Sequence, residues 1–148
     1  MDTKFYRNVN NDYRYRYTYV GQNNASFSDE DLVDVDGSGF LQVLPNNTDT
    51  IPAGIVIAPH DGLDMDSDNQ TSAKERPQFI PAEDGPLFMM QTDGNAATVD
   101  GQYQIEGGSG SQKVDVSTGT TTGGPVIVRR TEGDDLDGDE VIVELRQT

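Results

Sequence analysis

The apolar residues of this chain come in short runs of strand length, and each run stops at an explicit turn signal. The breakers are Asp36-Gly37-Ser38-Gly39, Pro45-Asn46-Asn47, Asp84-Gly85-Pro86, Asp93-Gly94-Asn95, Gly107-Gly108-Ser109-Gly110 and Asp137-Gly138. Between and around them stand candidate strands at Tyr13–Val20, Leu32–Val35, Phe40–Leu44, Gly54–Ala58, Gln78–Ile80, Leu87–Gln91, Gly101–Glu106, Gln112–Val116, Val126–Arg130 and Glu140–Arg146. No stretch carries the 3.6-residue apolar period of an amphipathic helix. Short runs punctuated in this way predict an all-β fold, a small sandwich or barrel of short antiparallel strands. Asp36-Gly37 is expected to close a hairpin between Leu32–Val35 and Phe40–Leu44, with Gly37 supplying the positive φ of such turns. Gly107-Gly108-Ser109-Gly110 reads as a second hairpin loop. No Lys-Ser/Thr pair follows it and no helix opens after it, so it is not a phosphate loop. Residues 59–77 and 117–124 are long polar loops, and loops of that length are expected to be functional or mobile.

A chain of 148 residues with 33% hydrophobic residues predicts one domain with a thin core. Sharing a buried face between copies would add to that core, so a homo-oligomer is expected, with Val126–Val128 and Val141–Val143 nearest the domain core. The chain has no cysteine, which removes disulfides, zinc–thiolate sites and cysteine nucleophiles. No apolar run reaches the length of a membrane span, and the first 20 residues lack the apolar centre of a secretory signal.

Charge divides the chain at residue 20. Residues 1–20 carry Lys4, Arg7, Arg14 and Arg16 against Asp2 and Asp12, a net of +2, while residues 21–148 carry a net of −18. The expected organisation is therefore a basic arm, 1–20, on an acidic all-β body, 21–148. Five of the six tyrosines lie in the arm, and Tyr13-Arg14-Tyr15-Arg16-Tyr17-Thr18-Tyr19 alternates. In an extended strand that alternation makes one aromatic face and one cationic face. Arginine and tyrosine combine large contact area with hydrogen bonding, so Arg7, Tyr13, Arg14, Tyr15, Arg16, Tyr17 and Tyr19 are the candidate partner-binding residues. The other readings of the arm are an edge strand packed on the core and a stacking platform for single-stranded nucleic acid. The acidic body opposes the last, because nucleic acid needs the opposite charge.

Of the 26 acidic residues 19 are aspartate, and there are only three lysines against seven arginines. This is the composition expected of a protein that works in molar salt, where its self-repulsion is screened; the alternative reading is an acidic surface that serves only solubility or carries Ca²⁺ sites. Within that background Asp64, Asp66, Asp68, Ser72 and Glu75 fall at positions 1, 3, 5, 9 and 12 of a calcium-loop spacing. Asn69 stands where the sharp turn wants glycine, and Pro59 and Pro77 oppose flanking helices. The expectation is a solvated acidic loop and no cofactor, with Asp64, Asp66, Asp68 and Glu75 as the ligands should a cation bind. Asp134-Asp135-Leu136-Asp137-Gly138-Asp139-Glu140 is expected to turn into the last strand. His60 is the only histidine, and no nucleophile constellation accompanies it or Asp61. The expectation is that the chain is not an enzyme.

The back half has the order Asp100-Gly101-Gln102-Tyr103-Gln104-Ile105, a Gly/Thr-rich loop, Pro125-Val126-Ile127-Val128-Arg129, then Gly138-Asp139-Glu140-Val141-Ile142-Val143-Glu144-Leu145, preceded by Ile51-Pro52-Ala53-Gly54-Ile55-Val56-Ile57-Ala58. This ordering, over residues 50–148, resembles the head decoration or capsid cement proteins of tailed phages and tailed archaeal viruses. The resemblance implies a structural protein on the outside of an HK97-type capsid, bound to the major capsid protein and to itself, usually as a trimer. It implies a virion location after assembly in the host cytoplasm, with neither nucleic acid nor membrane as partner. With the acidic composition, the virus implied is halophilic. A turret, spike or tail-associated virion protein is the alternative within that class. A calcium-binding β domain of a halophile cell surface is the alternative outside it.

Overall fold

The computed structural model describes residues 3–8 by their backbone, and residues 21, 27–28, 30–56 and 79–147 in full. Ten strands follow one another: β1 (Thr3–Asn8), β2 (Leu32–Val35), β3 (Leu41–Val43), β4 (Gly54–Val56), β5 (Phe79–Pro81), β6 (Pro86–Gln91), β7 (Gln102–Glu106), β8 (Lys113–Asp115), β9 (Val126–Arg130) and β10 (Glu140–Leu145). They form two antiparallel sheets, one ordered β1-β6-β10-β9-β7-β8 and the other β3-β2-β4-β5. The larger sheet curls on itself into a half-barrel. Thr92, one residue past β6, bridges Val114 of β8 in parallel, which brings the β8 edge back towards β6. The all-β expectation of a small antiparallel sandwich or barrel is therefore met.

Burial follows the strand period where one face meets solvent. In β7, Tyr103 and Ile105 are buried while Gln102, Gln104 and Glu106 are half-buried. β10 lies between β6 and β9, and Val141, Ile142 and Val143 are all buried, as are Val126 and Val128 of β9. Leu32, Leu44, Ile55 and Ile80 of the small sheet and its flanks pack with Phe88, Met90, Tyr103, Ile105, Val126, Val143 and Leu145 in the main core. The opposite face of the small sheet carries a second cluster of Phe27, Val33, Leu41, Val56 and Phe79. Because that sheet is covered on both faces, β4 and β5 read as unbroken apolar runs rather than alternating ones. Gly54 sits where β4 crosses closest to β5, and a Cβ there would lie 2.1 Å from the Ile80 carbonyl oxygen.

The β2–β3 hairpin forms as expected, with Val35 opposite Leu41, but its special residue is a different glycine. Gly39, not Gly37, has the positive φ, at 89°. The Gly39 N–H donates to the Asp36 carbonyl, and the Asp36 carboxylate accepts from the Ser38 and Phe40 N–H groups. The turn thus has a left-handed residue at its end, the usual geometry of a three-residue hairpin loop.

Two buried polar side chains join the sheets. Asp31 accepts hydrogen bonds from the Ser28 N–H at 2.8 Å, the Gly110 N–H at 2.8 Å and the Ser109 hydroxyl at 2.5 Å. This carboxylate fastens the β7–β8 hairpin loop to the entry of β2. Gln112, just before β8, holds the backbone of Leu32 with its side-chain amide.

Candidate interaction surface

The arm is fastened at its base. β1 runs antiparallel along the outer edge of β6, with Thr3 opposite Met90 and Asn8 opposite Pro86, and a bulge between Phe5 and Arg7. Gly21 bridges Leu41 of β3, an edge strand of the small sheet. The described residues on either side of positions 9–20 thus lie at sheet edges, Asn8 on the large sheet and Gly21 beside the small one. Of the candidate partner-binding residues, Arg7 lies in β1 at the position opposite Leu87. Tyr13, Arg14, Tyr15, Arg16, Tyr17 and Tyr19 lie outside the described residues, as does the candidate strand Tyr13–Val20. Strand β1 itself was not anticipated. Its signal is the pair of β-prone aromatics Phe5 and Tyr6, without the clean alternation that marks the following segment.

The acidic loops divide in the same way. His60, Asp61, Asp64, Asp66, Asp68 and Glu75 fall outside the described residues. The 134–140 segment turns into β10 as expected. The Asp137 N–H donates to Glu140 Oε1 at 2.9 Å, the Glu140 N–H donates to the Asp137 carbonyl at 3.0 Å, and Arg130 pairs with Asp135 at 2.7 Å.

A grouping the sequence does not announce is Asp93, Glu106 and Asp115, whose carboxylate oxygens lie within 4.8 Å of one another. Two of the three already hold the 115–118 turn. Asp93 Oδ2 accepts from the Val116 N–H at 3.1 Å and the Ser117 N–H at 2.8 Å. Asp115 accepts from the Ser117 hydroxyl at 3.0 Å and the Thr118 hydroxyl at 2.6 Å. Partial burial works against an ionised Asp93, but the hydrogen bonds from Ser117 and Asn95 outweigh it and hold its carboxyl below the ordinary value. A little further on, Asp49 accepts from Gln104 Nε2 and the Thr121 hydroxyl, and these bonds lower its pKa in turn. The 117–124 loop is thus tied down by Asp93, Asp115 and Asp49.

A pocket of about 390 Å³ opens where β6 and β9 stop and β10 starts. Thr92, Asn95, Thr131, Glu132, Asp139 and Glu140 are among its walls, and no basic residue lines it. Arg130 stands just before it, but its guanidinium is turned to the Glu132 carbonyl and the Asp135 carboxylate. The pocket and the end of β1 lie at opposite ends of β6, since Gln91 pairs with Glu140 whereas Pro86 pairs with Asn8.

Among the described residues no helix is long and apolar enough to cross a membrane. No protein-family model matches the chain, and no curated protein or solved structure is detectably similar to it.

Proposed function

We propose that this chain is a structural attachment protein of a virion, a decoration protein that binds the outside of the capsid of a halophilic virus. The observation that carries the reading is the basic, tyrosine-rich composition of a segment whose two flanks are anchored on the sheets. Its flanks are held, β1 on β6 and Gly21 beside Leu41, and its sequence carries a net of +2 against −18 for residues 21–148. In molar salt the screening length is about 3 Å, so exposed charge pairs contribute little and aromatic contact area carries attachment. The tyrosines of the segment are the residues that make that contact with the major capsid protein. The buried carboxylates of the body are consistent with a scaffold role, because Asp31 and Asp115 are occupied by hydrogen bonds from neighbouring loops.

The test is saturable co-sedimentation of the purified chain with stripped capsid shells of a haloarchaeal tailed virus in molar NaCl. Binding that saturates at a fixed number of copies per shell supports decoration. A chain left wholly in the supernatant with every shell tried overturns it.

A further inference from the structure

We propose that Asp137-Gly138 is a self-modification site, where the aspartate side chain closes on the next backbone nitrogen to give a succinimide and then an isoaspartyl linkage. Aspartate followed by glycine suits this chemistry best. Glycine leaves the attacking nitrogen unshielded, and the two reacting groups are already neighbours. The chain has six such pairs, beginning at Asp36, Asp61, Asp84, Asp93, Asp100 and Asp137, and no Asn-Gly pair. Asp61 lies outside the described residues. Folding separates the other five.

Ring closure needs a free glycine N–H and a free carboxyl group. It also needs a ψ at the aspartate outside the favoured wells, so the bonds that hold the linking peptide must break first. At three pairs the nitrogen is taken. The Gly85 N–H donates to the Ala82 carbonyl at 3.0 Å, the Gly101 N–H to the Thr98 carbonyl at 3.0 Å and the Gly94 N–H to Thr92 Oγ1 at 3.2 Å. The carboxylates of Asp93 and Asp100 are taken as well, by the Val116 and Ser117 N–H groups and by Arg129. At the fourth pair the Asp36 carboxylate is held by the Ser38 and Phe40 N–H groups, and its carbonyl by the Gly39 N–H at 3.1 Å.

Asp137 is placed differently. Both residues of its pair are exposed. Among the described residues, neither the Asp137 carboxylate nor the Gly138 N–H has a hydrogen-bond partner. A Cβ built on Gly138 would meet nothing within 4 Å, so the space about the pair is open. Turning the linking peptide breaks one hydrogen bond, from the Glu140 N–H to the Asp137 carbonyl at 3.0 Å.

The reaction balances on water alone. The Gly138 nitrogen bonds to the carbon of the protonated Asp137 carboxyl group and gives up its proton. The C–OH bond breaks, and proton and hydroxyl leave as one water. Water then opens the ring at either carbonyl. Opening at the side-chain carbonyl restores aspartate. Opening at the main-chain carbonyl leaves Gly138 joined through the side chain, with one additional carbon in the backbone and a free carboxylate beside it. The Asp139 carbonyl, which accepts from the Thr92 N–H at 2.9 Å, and the Glu140–Gln91 pairing both lie downstream of that linkage. The loop between β9 and β10 takes up the extra length, and β10 keeps its register.

The test ages the full chain, folded, in molar NaCl made up in heavy-oxygen water at neutral pH. Each ring opening leaves one heavy oxygen in the residue, whichever isomer results, and fragmentation of proteolytic peptides places it. Trypsin cuts after Arg130 and Arg146, so residues 131–146 form a peptide with this Asp-Gly pair alone. Asp137 is expected to gain label at least about fivefold faster than Asp36, Asp84, Asp93 or Asp100, the weight of one further hydrogen bond to be broken. An isoaspartyl form of the 131–146 peptide should appear at unchanged mass and a different elution time. In guanidinium chloride, where the fold no longer ranks the pairs, the five rates should draw together. Asp137→Glu keeps the charge but its extra methylene takes the carboxyl out of that ring size, so this variant should leave the peptide unlabelled and melt like the parent. Label that appears first at any of the other four aspartates, equal rates at all five in the folded chain, or label in 131–146 that persists in Asp137→Glu overturns the proposal.

Discussion

The side-chain amide of Gln112 pairs with both polar groups of Leu32: the Leu32 N–H donates to Gln112 Oε1 at 2.7 Å, and Gln112 Nε2 donates to the Leu32 carbonyl at 3.1 Å. Both residues are buried. The Leu44 N–H also donates to the Leu32 carbonyl, so that oxygen has a second partner. The Leu32 N–H is answered by a residue 80 positions away, from the flank of β8. A side chain here completes a backbone ladder and couples the two sheets.

Removing that amide should therefore act mainly through the orphaned Leu32 N–H. Gln112→Ala is expected to destabilise the chain by about 1–3 kcal/mol, the cost of an unsatisfied buried donor. Gln112→Glu keeps an acceptor for the N–H but sets a carboxylate oxygen against the Leu32 carbonyl, and should be at least as damaging at neutral pH. Denaturant melts in molar NaCl measure both.

Asp31 makes a second prediction at the same joint. Asparagine has one carbonyl oxygen and an NH₂ group where the carboxylate has two acceptors, and three donors converge on that carboxylate. Asp31→Asn should cost about 1–3 kcal/mol. It should also speed amide exchange at Gly110 more than at residues in β10. Unchanged exchange at Gly110 would contradict the role of Asp31 as the fastener of that loop.

Much of this architecture was legible in the sequence. Leu32–Val35 and Val126–Arg130 form strands with the bounds read from the turn signals, and most other strands differ only at their ends. Turn chemistry and apolar run length are local, so they show in the sequence. What did not show is non-local or conformational. That Gly39 rather than Gly37 takes the left-handed conformation follows from the three-residue loop that Asp36 organises. That Asp93, Glu106 and Asp115 meet depends on the closure of β8 towards β6. The roles of Asp31 and Gln112 depend on sheet-to-sheet placement, which spacing along the chain does not encode. Nor did spacing reveal the pocket, which three separate segments build.

Two aspartates should respond to pH in opposite senses. The hydrogen bonds that lower the Asp93 pKa mean the folded chain binds fewer protons there than the unfolded one. Its contribution is complete above the ordinary carboxylate value, about 3.9, and is lost as pH falls through the lowered folded value. Asp93→Asn should thus lower the Tm at pH 7, and the gap to the parent should narrow below about pH 3.9. Asp34 is raised, chiefly by burial and further by the charge of Asp36, with the Val35 N–H opposing. Its ionised form weakens the fold at neutral pH, and that penalty disappears as pH falls below the unfolded value. Asp34→Asn should hold or raise the Tm at pH 7 and make no difference in acid. Comparing each variant with the parent at equal salt cancels the repulsion common to both.

Salt should govern the stability of the whole chain. Arg129 pairs with Asp100 and Glu144, and Arg130 with Asp135, yet the 21–148 body carries 24 carboxylates against six cations. Lowering the salt from 1 M to 0.01 M lengthens the screening distance from about 3 Å to about 30 Å, so that repulsion spans the domain. The Tm is expected to fall steeply as NaCl is withdrawn. A flat Tm across that range would contradict adaptation to high salt.

Attachment to a shell through the tyrosines of residues 13–19 is the centre of the account. Truncating the N-terminus is a poor probe, because residues 3–8 form β1 on the edge of β6. Replacing Tyr13, Tyr15, Tyr17 and Tyr19 by serine leaves the β1 sequence intact and removes the four aromatic side chains. The deciding measurement is the amount of this variant that co-sediments with stripped capsid shells in molar NaCl, beside the parent chain at matched concentration and verified fold. The account predicts saturating binding by the parent and loss of the variant from the pellet. Equal binding by the two would contradict it.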